Sequence, residues 1–201
     1  MNDTKKIGRP RKFDADEAMM AAVSTFWTKG YDGASMKDLT DAMGISGPSL
    51  YAAFGDKRQL YLKAIDAYAS NDACAPLVAF EAEPDIGKAV RAFMIAAIDY
   101  ATAHESGAKG CFLSSCVATT AGEVEGVDQL LADAIKDTDE RLAARFAQEV
   151  ELGNLASDFP VLARARLLFD LRQGFVFRAR AGLDAATMKA ELNQRCRMIL
   201  E

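Results

Sequence analysis

The sequence holds one histidine, His104, one tryptophan and four cysteines, and no apolar run in it approaches the roughly 20 residues that a bilayer-crossing helix needs. With a single histidine, and with Cys111, Cys116 and Glu105 at no compact ligand spacing, no metal site is expected. Cys74, Cys111, Cys116 and Cys196 are too few and too scattered for a secreted disulfide framework, and none forms a CxxC pair. No Gly-rich phosphate loop, Walker motif, HExxH or GxSxG occurs. The best enzyme reading, Cys116 or Cys111 as nucleophile with His104 as base, lacks a third member, so neither catalysis nor a cofactor is expected. The polar, basic N-terminus has no apolar core of a signal peptide behind it, which points to the cytoplasm and to no membrane partner.

What is present suits a water-soluble chain of 201 residues, 50% hydrophobic and 26% charged, able to bury one or two ordinary cores. A net charge of −5 argues against indiscriminate coating of nucleic acid, but the charge is unevenly placed. Residues 1–63 carry ten Lys and Arg against eight Asp and Glu, whereas the remainder carries fourteen against twenty-one. Within residues 1–13, Lys5, Lys6, Arg9, Arg11 and Lys12 face only Asp3, a basic arm of the kind that finds phosphates or, alternatively, a plain solvated tail.

Helical periodicity begins after that arm. Ala15, Ala18, Met19, Ala22, Val23, Phe26 and Trp27 follow i, i+3, i+4 spacing, with Asp14 and Glu17 as N-terminal cap signals and Gly30 as the stop. A short second helix is predicted from Ser35 and Asp38, again at capping-box spacing, to Gly44, with Met36, Leu39 and Met43 on its apolar face. Gly44 then permits a tight turn, Ile45 plugs the angle between helices, Ser46 caps a third helix, and Pro48 fits its first turn, where a missing N–H costs nothing. This punctuation is that of a helix-turn-helix. Leu50 and Phe54 would face inward, leaving Gly47, Pro48, Ser49 and Tyr51 outward at the end that enters a major groove. Gly55 ends the helix and Asp56 caps the next.

That fourth helix should run from 56 to the mid 70s and close near Pro76, with Leu60, Tyr61, Ala64, Ile65 and Tyr68 on one stripe. Further helical segments are predicted at about 84–104, 110–120, 124–152, 158–181 and 184–200, and no strand-like alternation, internal repeat or low-complexity segment occurs. The expected fold is all-α, with about nine helices. Its expected parts are an arm (1–12), a three-helix head (13–56) and a larger helical body (57–201), with the helix from 57 to about 75 as connector.

The run "GRPRKFD", then "FWTKGYDGAS", then "MKDLTDAMGISGPSLYAAFGDKRQLYLKAI" resembles, over roughly residues 9–66, the DNA-binding domain of TetR-type transcriptional regulators. "KGCFLSSC" and "LRQGFVFRARAGLD" are similar to segments of one branch of that family. The resemblance implies a homodimer that binds a palindromic double-stranded operator as a repressor and is released when a small molecule occupies the body. Carried over by position, DNA contacts would fall on Ser35, Ser46, Gly47, Pro48, Ser49, Tyr51 and Lys57, and the basic arm would add Arg9, Arg11 and Lys12. Ser35 and Lys57 stand at helix N-termini, where free N–H groups favour phosphate.

The chain departs from the commoner family pattern at Gly47, Ala52 and Ala53, where long polar or aromatic side chains are usual. Base readout would then rest on Pro48 against a thymine methyl, on Ser49 and on close backbone approach at Gly47. "GRPRK" resembles an AT-hook core, so Arg9 and Arg11 would enter an A/T-rich minor groove, or else simply touch phosphates. Phe93, Met94, Ile98, Tyr100, Phe112, Cys116, Phe169 and Phe177 supply soft and aromatic surface for an apolar or aromatic effector, or else plain core. Leu168, Leu171, Gly174, Phe175, Arg178, Met188, Leu192 and Ile199 offer stripes for a contact between subunits, or for the internal core. A thiol-based redox or electrophile sensor using Cys111 and Cys116 is the alternative on the same scaffold.

Overall fold

The computed structural model describes residues 14–70, 75–103 and 109–201; Arg9, Arg11, Lys12, Cys74 and His104 lie outside the described residues. Among the described residues every regular element is helical. Helix α1 (Ala15–Gly33) starts where Asp14 accepts from the N–H groups of Asp16 and Glu17, and it breaks at Gly30, whose φ of 73° no helical residue adopts. Helix α2 (Met36–Met43) has the predicted reciprocal cap: Asp38 N–H donates to Ser35 Oγ at 3.1 Å while Ser35 N–H donates to an Asp38 carboxylate oxygen at 2.9 Å. Gly44, at φ 65°, ends it in the left-handed conformation. Helix α3 (Gly47–Phe54) is capped by Ser46 and carries Pro48 in its first turn.

These three helices share one small core. Ala22, Phe26, Leu39 and Leu50 are fully buried, and α4 (Lys57–Ser70) closes the core with Leu60 and Tyr61. Asp56 and Gln59 cap α4 reciprocally, at 2.8 and 3.1 Å. Because α4 packs on α1 at one end and on the body at the other, its buried stripe belongs to both.

The body differs from the sequence expectation in three places. Helix α4 ends at Ser70 rather than in the mid 70s, and Pro76 opens a separate helix α5 (Ala75–Ala82) instead of closing α4. The reason is positional, since a proline in the first turn of a helix removes an N–H that had no partner there. Helix α6 (Ile86–Thr102) matches its prediction, but the next segment is a π-turn over Leu113–Val117 followed by a three-residue helix α7 (Ala118–Thr120). After α8 (Val127–Glu151) and α9 (Val161–Arg180), the final segment divides into α10 (Ala185–Lys189) and α11 (Leu192–Leu200), a break that no Gly or Pro marks.

Aromatic rings fasten head to body. Phe26 and Trp27 of α1 meet Tyr61 and Tyr68 of α4 edge-on, at 4.8 and 5.6 Å between centroids. Phe112, at the mouth of the π-turn, touches both tyrosines at 6.1 and 5.4 Å. No helix among the described residues is long and apolar enough to cross a membrane.

Candidate nucleic-acid interface and ligand cavity

The N-terminal turn of α3 stands out from the head because Leu50 and Phe54 hold its other face in the core. Pro48, Ser49, Tyr51, Ala52 and Ala53 are exposed, Tyr51 by 55%, and Gly47 is half-buried. A Cβ built at Gly47 meets nothing within 4 Å, so neighbouring side chains leave this backbone open to an incoming surface. Ser46 is less available than Tyr51: its hydroxyl accepts from Ser49 N–H at 3.3 Å and lies 2.9 Å from Ser49 Oγ. The Ser35 hydroxyl likewise donates to Asp38, whose carboxyl Lys29 and then Ser35 hold well below the usual carboxylate range. What remains at the start of α2 for an anion is therefore its backbone N–H groups.

Lys57 opens α4 with its ammonium 4.6 Å from the centre of the Tyr31 ring, which orients the charge without neutralising it. Lys37 is a cation that the sequence reading passed over. It is 84% exposed on α2 and pairs with Asp41 at 2.5 Å, a contact that i,i+4 spacing alone announces. Another is Lys63, which donates to the Ala53 carbonyl at the far end of α3 and holds that helix on α4.

The body contains a cavity of about 290 Å³ between α4, α5, the π-turn, α8 and α9. Of the eight residues expected to line it, only Phe169 does. Phe93, Met94, Ile98 and Phe112 are fully buried in solid core, and Cys116 and Tyr100 pack near Trp27. Phe177 is 76% exposed and does not line the cavity. Periodicity identifies a buried face but carries no signal for whether the facing space is filled. The walls are instead Leu77, Leu113, Leu131, Ala134, Ile135 and Phe169, with Ser114, Asp137, Thr138, Arg172 and Gln173 as the polar members. A more open cleft shares Ala69, Ala134 and Asp137 with it and leads outward between α4 and α8.

One cysteine precedes the π-turn and a second lies within it. Cys111 is fully buried, accepts from Tyr68 Oη at 3.4 Å, and lies 3.9 Å from Arg172 Nη2. Burial raises its thiol, but the Arg172 charge, the Tyr68 hydroxyl and the N–H groups of Ser114 and Leu113 outweigh that and leave it below the ordinary value. Burial pushes Cys116 up despite Arg180, and its thiol donates to the Trp27 carbonyl at 3.3 Å. No group of three or more metal-ligating side chains occurs among the described residues.

The stripes expected at a subunit contact also divide. Leu168, Phe175, Met188, Leu192 and Ile199 lie in the subunit's own core, so they cannot face a partner, and Leu171 is half-buried. Gly174 and Arg178 are exposed. Leu162 and Phe177 of α9 are 47% and 76% exposed, and Met198 of α11 is 54% exposed.

Residues 19–64 match the family model for bacterial regulatory proteins of the tetR family. Over 178 residues, 89% of this chain and 85% of the relative, the sequence is 28% identical to the HTH-type transcriptional repressor ComR of Escherichia coli (strain K12). It is 44% identical over 66 residues to the HTH-type transcriptional repressor BdcR of the same organism, about a third of either chain. Among solved structures, a cysteine mutant of the TetR family transcriptional regulator CifR, complexed with 26-bp double-strand operator DNA, superposes with a TM-score of 0.84. That match has 28% identity and covers 94% of this chain and 98% of that one.

Proposed function

Because the chain belongs to the TetR family of helix-turn-helix transcriptional regulators, we propose that it is a cytoplasmic homodimeric repressor whose palindromic operator is released when a small molecule fills the cavity of the body. The outward turn of α3 carries the DNA half of this reading. Pro48, Ser49 and the Gly47 backbone meet base edges, while Tyr51, Lys57 and the start of α2 grip phosphates. Arg9, Arg11 and Lys12 of the arm add phosphate or minor-groove contacts.

The observation that carries the regulatory half is that one segment serves both sites. Leu113 and Ser114 of the π-turn line the cavity, and two residues after Ser114 the Cys116 thiol bonds to the backbone of α1 in the head. Tyr61 and Thr120, 3.1 Å apart between hydroxyls, repeat the link one turn on, and Arg58 reaches Glu125 at 3.0 Å. A ligand that moves this segment moves α1 and α4 with it. Two heads must reach successive major grooves roughly 34 Å apart, so a ligand favouring another spacing weakens operator binding by its differential affinity. A coupling of about 1–3 kcal/mol changes that binding about 5- to 150-fold.

The dimer forms through α9 and α11, by the face bearing Leu162, Gly174, Phe177 and Met198. The exposed Phe177 ring needs a cover, and Gly174 lets helices approach closely. The thiol-sensor reading has one observation in its favour, the lowered thiol of Cys111, against the burial of both cysteines; diamide should leave operator binding unchanged.

The test is selection of bound DNA from a random duplex pool by purified protein, retested at two salt concentrations. Enrichment of a palindrome is expected. Weak, salt-sensitive binding with no enriched sequence would overturn the operator reading.

A further inference from the structure

We propose that Tyr31 is a positioning residue for operator binding, its ring holding the Lys57 ammonium where a DNA phosphate can take it; this rests on the reading that Lys57 meets a phosphate. Between residues 14 and 66 the chain has five basic side chains, Lys29, Lys37, Lys57, Arg58 and Lys63. Four of them are committed to oxygens of the protein. Lys29 pairs with Asp38 and Lys37 with Asp41, each at 2.5 Å, Arg58 reaches Glu125 at 3.0 Å, and Lys63 donates to the Ala53 carbonyl at 3.3 Å. Lys57 is the exception among the described residues of the head, since its partner is an aromatic face, with Nζ 4.6 Å from the centre of the Tyr31 ring.

A ring face and a carboxylate do different things to a lysine. A carboxylate neutralises the charge and occupies its N–H groups, so a phosphate must compete for it, whereas a ring attracts the charge through its quadrupole and leaves the three donors available. The ring also restricts the stem. A freely rotating lysine loses rotamer freedom when it grips a phosphate, and a side chain already restricted loses less. The ring is itself fixed. Gly30, at φ 73°, breaks α1 immediately before Tyr31, whose ring then packs on Tyr61 at 4.8 Å between centroids and stacks on Phe26 at 6.3 Å. Tyr61 and Phe26 are fully buried and 4.8 Å apart. Lys57 therefore rests on a surface continuous with the core of the head.

NMR of the full-length protein without DNA, followed by salt-dependent binding to the palindromic duplex enriched by selection, tests this. Protons over a ring face are shielded, so the Lys57 ε-methylene signals should lie upfield of those of Lys37. They should stay there in Tyr31→Phe and move to ordinary positions in Tyr31→Leu. Tyr31→Leu should weaken duplex binding about 2- to 10-fold per head, the cost of ordering one long side chain, without lowering the salt slope, because the charge is still present. Tyr31→Phe should retain the affinity. In a Lys57→Gln background Tyr31→Leu should cost nothing further, a coupling that a merely structural role for the ring would not produce. Unshifted Lys57 signals in the unmodified protein would overturn the proposal without relying on any variant. An absent cost of Tyr31→Leu, or the same cost with and without Lys57, would overturn it and retain the phosphate contact. Lys57→Gln that leaves affinity and salt slope unchanged, or selection that enriches no duplex, would overturn the phosphate reading and the proposal together.

Discussion

The thiol of Cys116 donates to the main-chain carbonyl of Trp27 across 89 positions of sequence, at 3.3 Å. One partner belongs to the segment that walls the cavity, the other to the first helix of the DNA-binding head. Trp27 is 4% exposed and in ring contact with Tyr68 and Phe112, so this bond lies inside a packed junction and not on a mobile surface. A junction of this kind transmits a displacement because close-packed rings have no slack in which to absorb it.

Tyr61→Phe removes the hydroxyl shared with Thr120 and leaves the ring stacking in place. Thr120 keeps its bond to the Val117 carbonyl, so the loss should be modest, about 1 kcal/mol by urea unfolding. Operator affinity without ligand should hold within about threefold, while the effect of ligand on that affinity should shrink. An unchanged ligand response would remove this bond from the transmission route.

Tyr51→Phe and Lys57→Ala should weaken binding to all duplexes alike. Losing the Lys57 charge should lower the slope of log affinity against log salt by about 1, whereas Tyr51→Phe should leave the slope nearly unchanged. A loss confined to one base pair of the operator would contradict the phosphate assignment.

Phe177→Glu places a charge on the largest exposed aromatic of α9. Sedimentation should show a shift from dimer to monomer at micromolar concentration, with operator affinity falling at least about 100-fold because two half-sites no longer bind together. The fold should survive, since the side chain contributes little to the subunit core. A dimer that persists would place the subunit contact elsewhere.

Glu149 gives a pH signature. Its carboxyl accepts from Asn154 and from Arg145 at 2.7 Å each, and although burial opposes them these partners hold it below the ordinary carboxylate value. A lowered folded value means that the stabilisation is complete above the unfolded value of about 4.3 and fades as pH falls through the folded one. Glu149→Gln should cost about 3 kcal/mol at neutral pH, because Arg145, 11% exposed, is left without its counter-charge. The cost should shrink on acidification, and unfolding midpoints from pH 7 to pH 3 would check it.

The head was legible in the sequence because its signals are local. Ser35 with Asp38, Ser46 with Ser49 and Asp56 with Gln59 each close a cap within three residues, and Gly44 and Gly55 take the positive φ their turns require. The cavity was not, because its walls come from elements far apart in the chain. Leu77 and Leu131 meet Phe169 only through packing, which no single helical stripe encodes. Phe169 and Phe177 lie two turns apart on one helix, yet one lines the cavity and the other faces outward. Pro76 reads as a stop in any local window, and only its place in the first turn of α5 makes it a start. The π-turn over Leu113–Val117 was likewise hidden, since its composition does not differ from that of an α-helix.

Gly47 has one more implication. At the start of α3 this protein presents backbone with open space beyond it and no unusual φ. Any residue can therefore be installed there without disturbing the fold, and alanine would even lower the conformational freedom lost on folding. On the proposed docking of α3, the DNA-facing surface and the scaffold can thus evolve almost independently: a single codon change at Gly47 would alter what the helix presents while the cavity and the junction stay as they are.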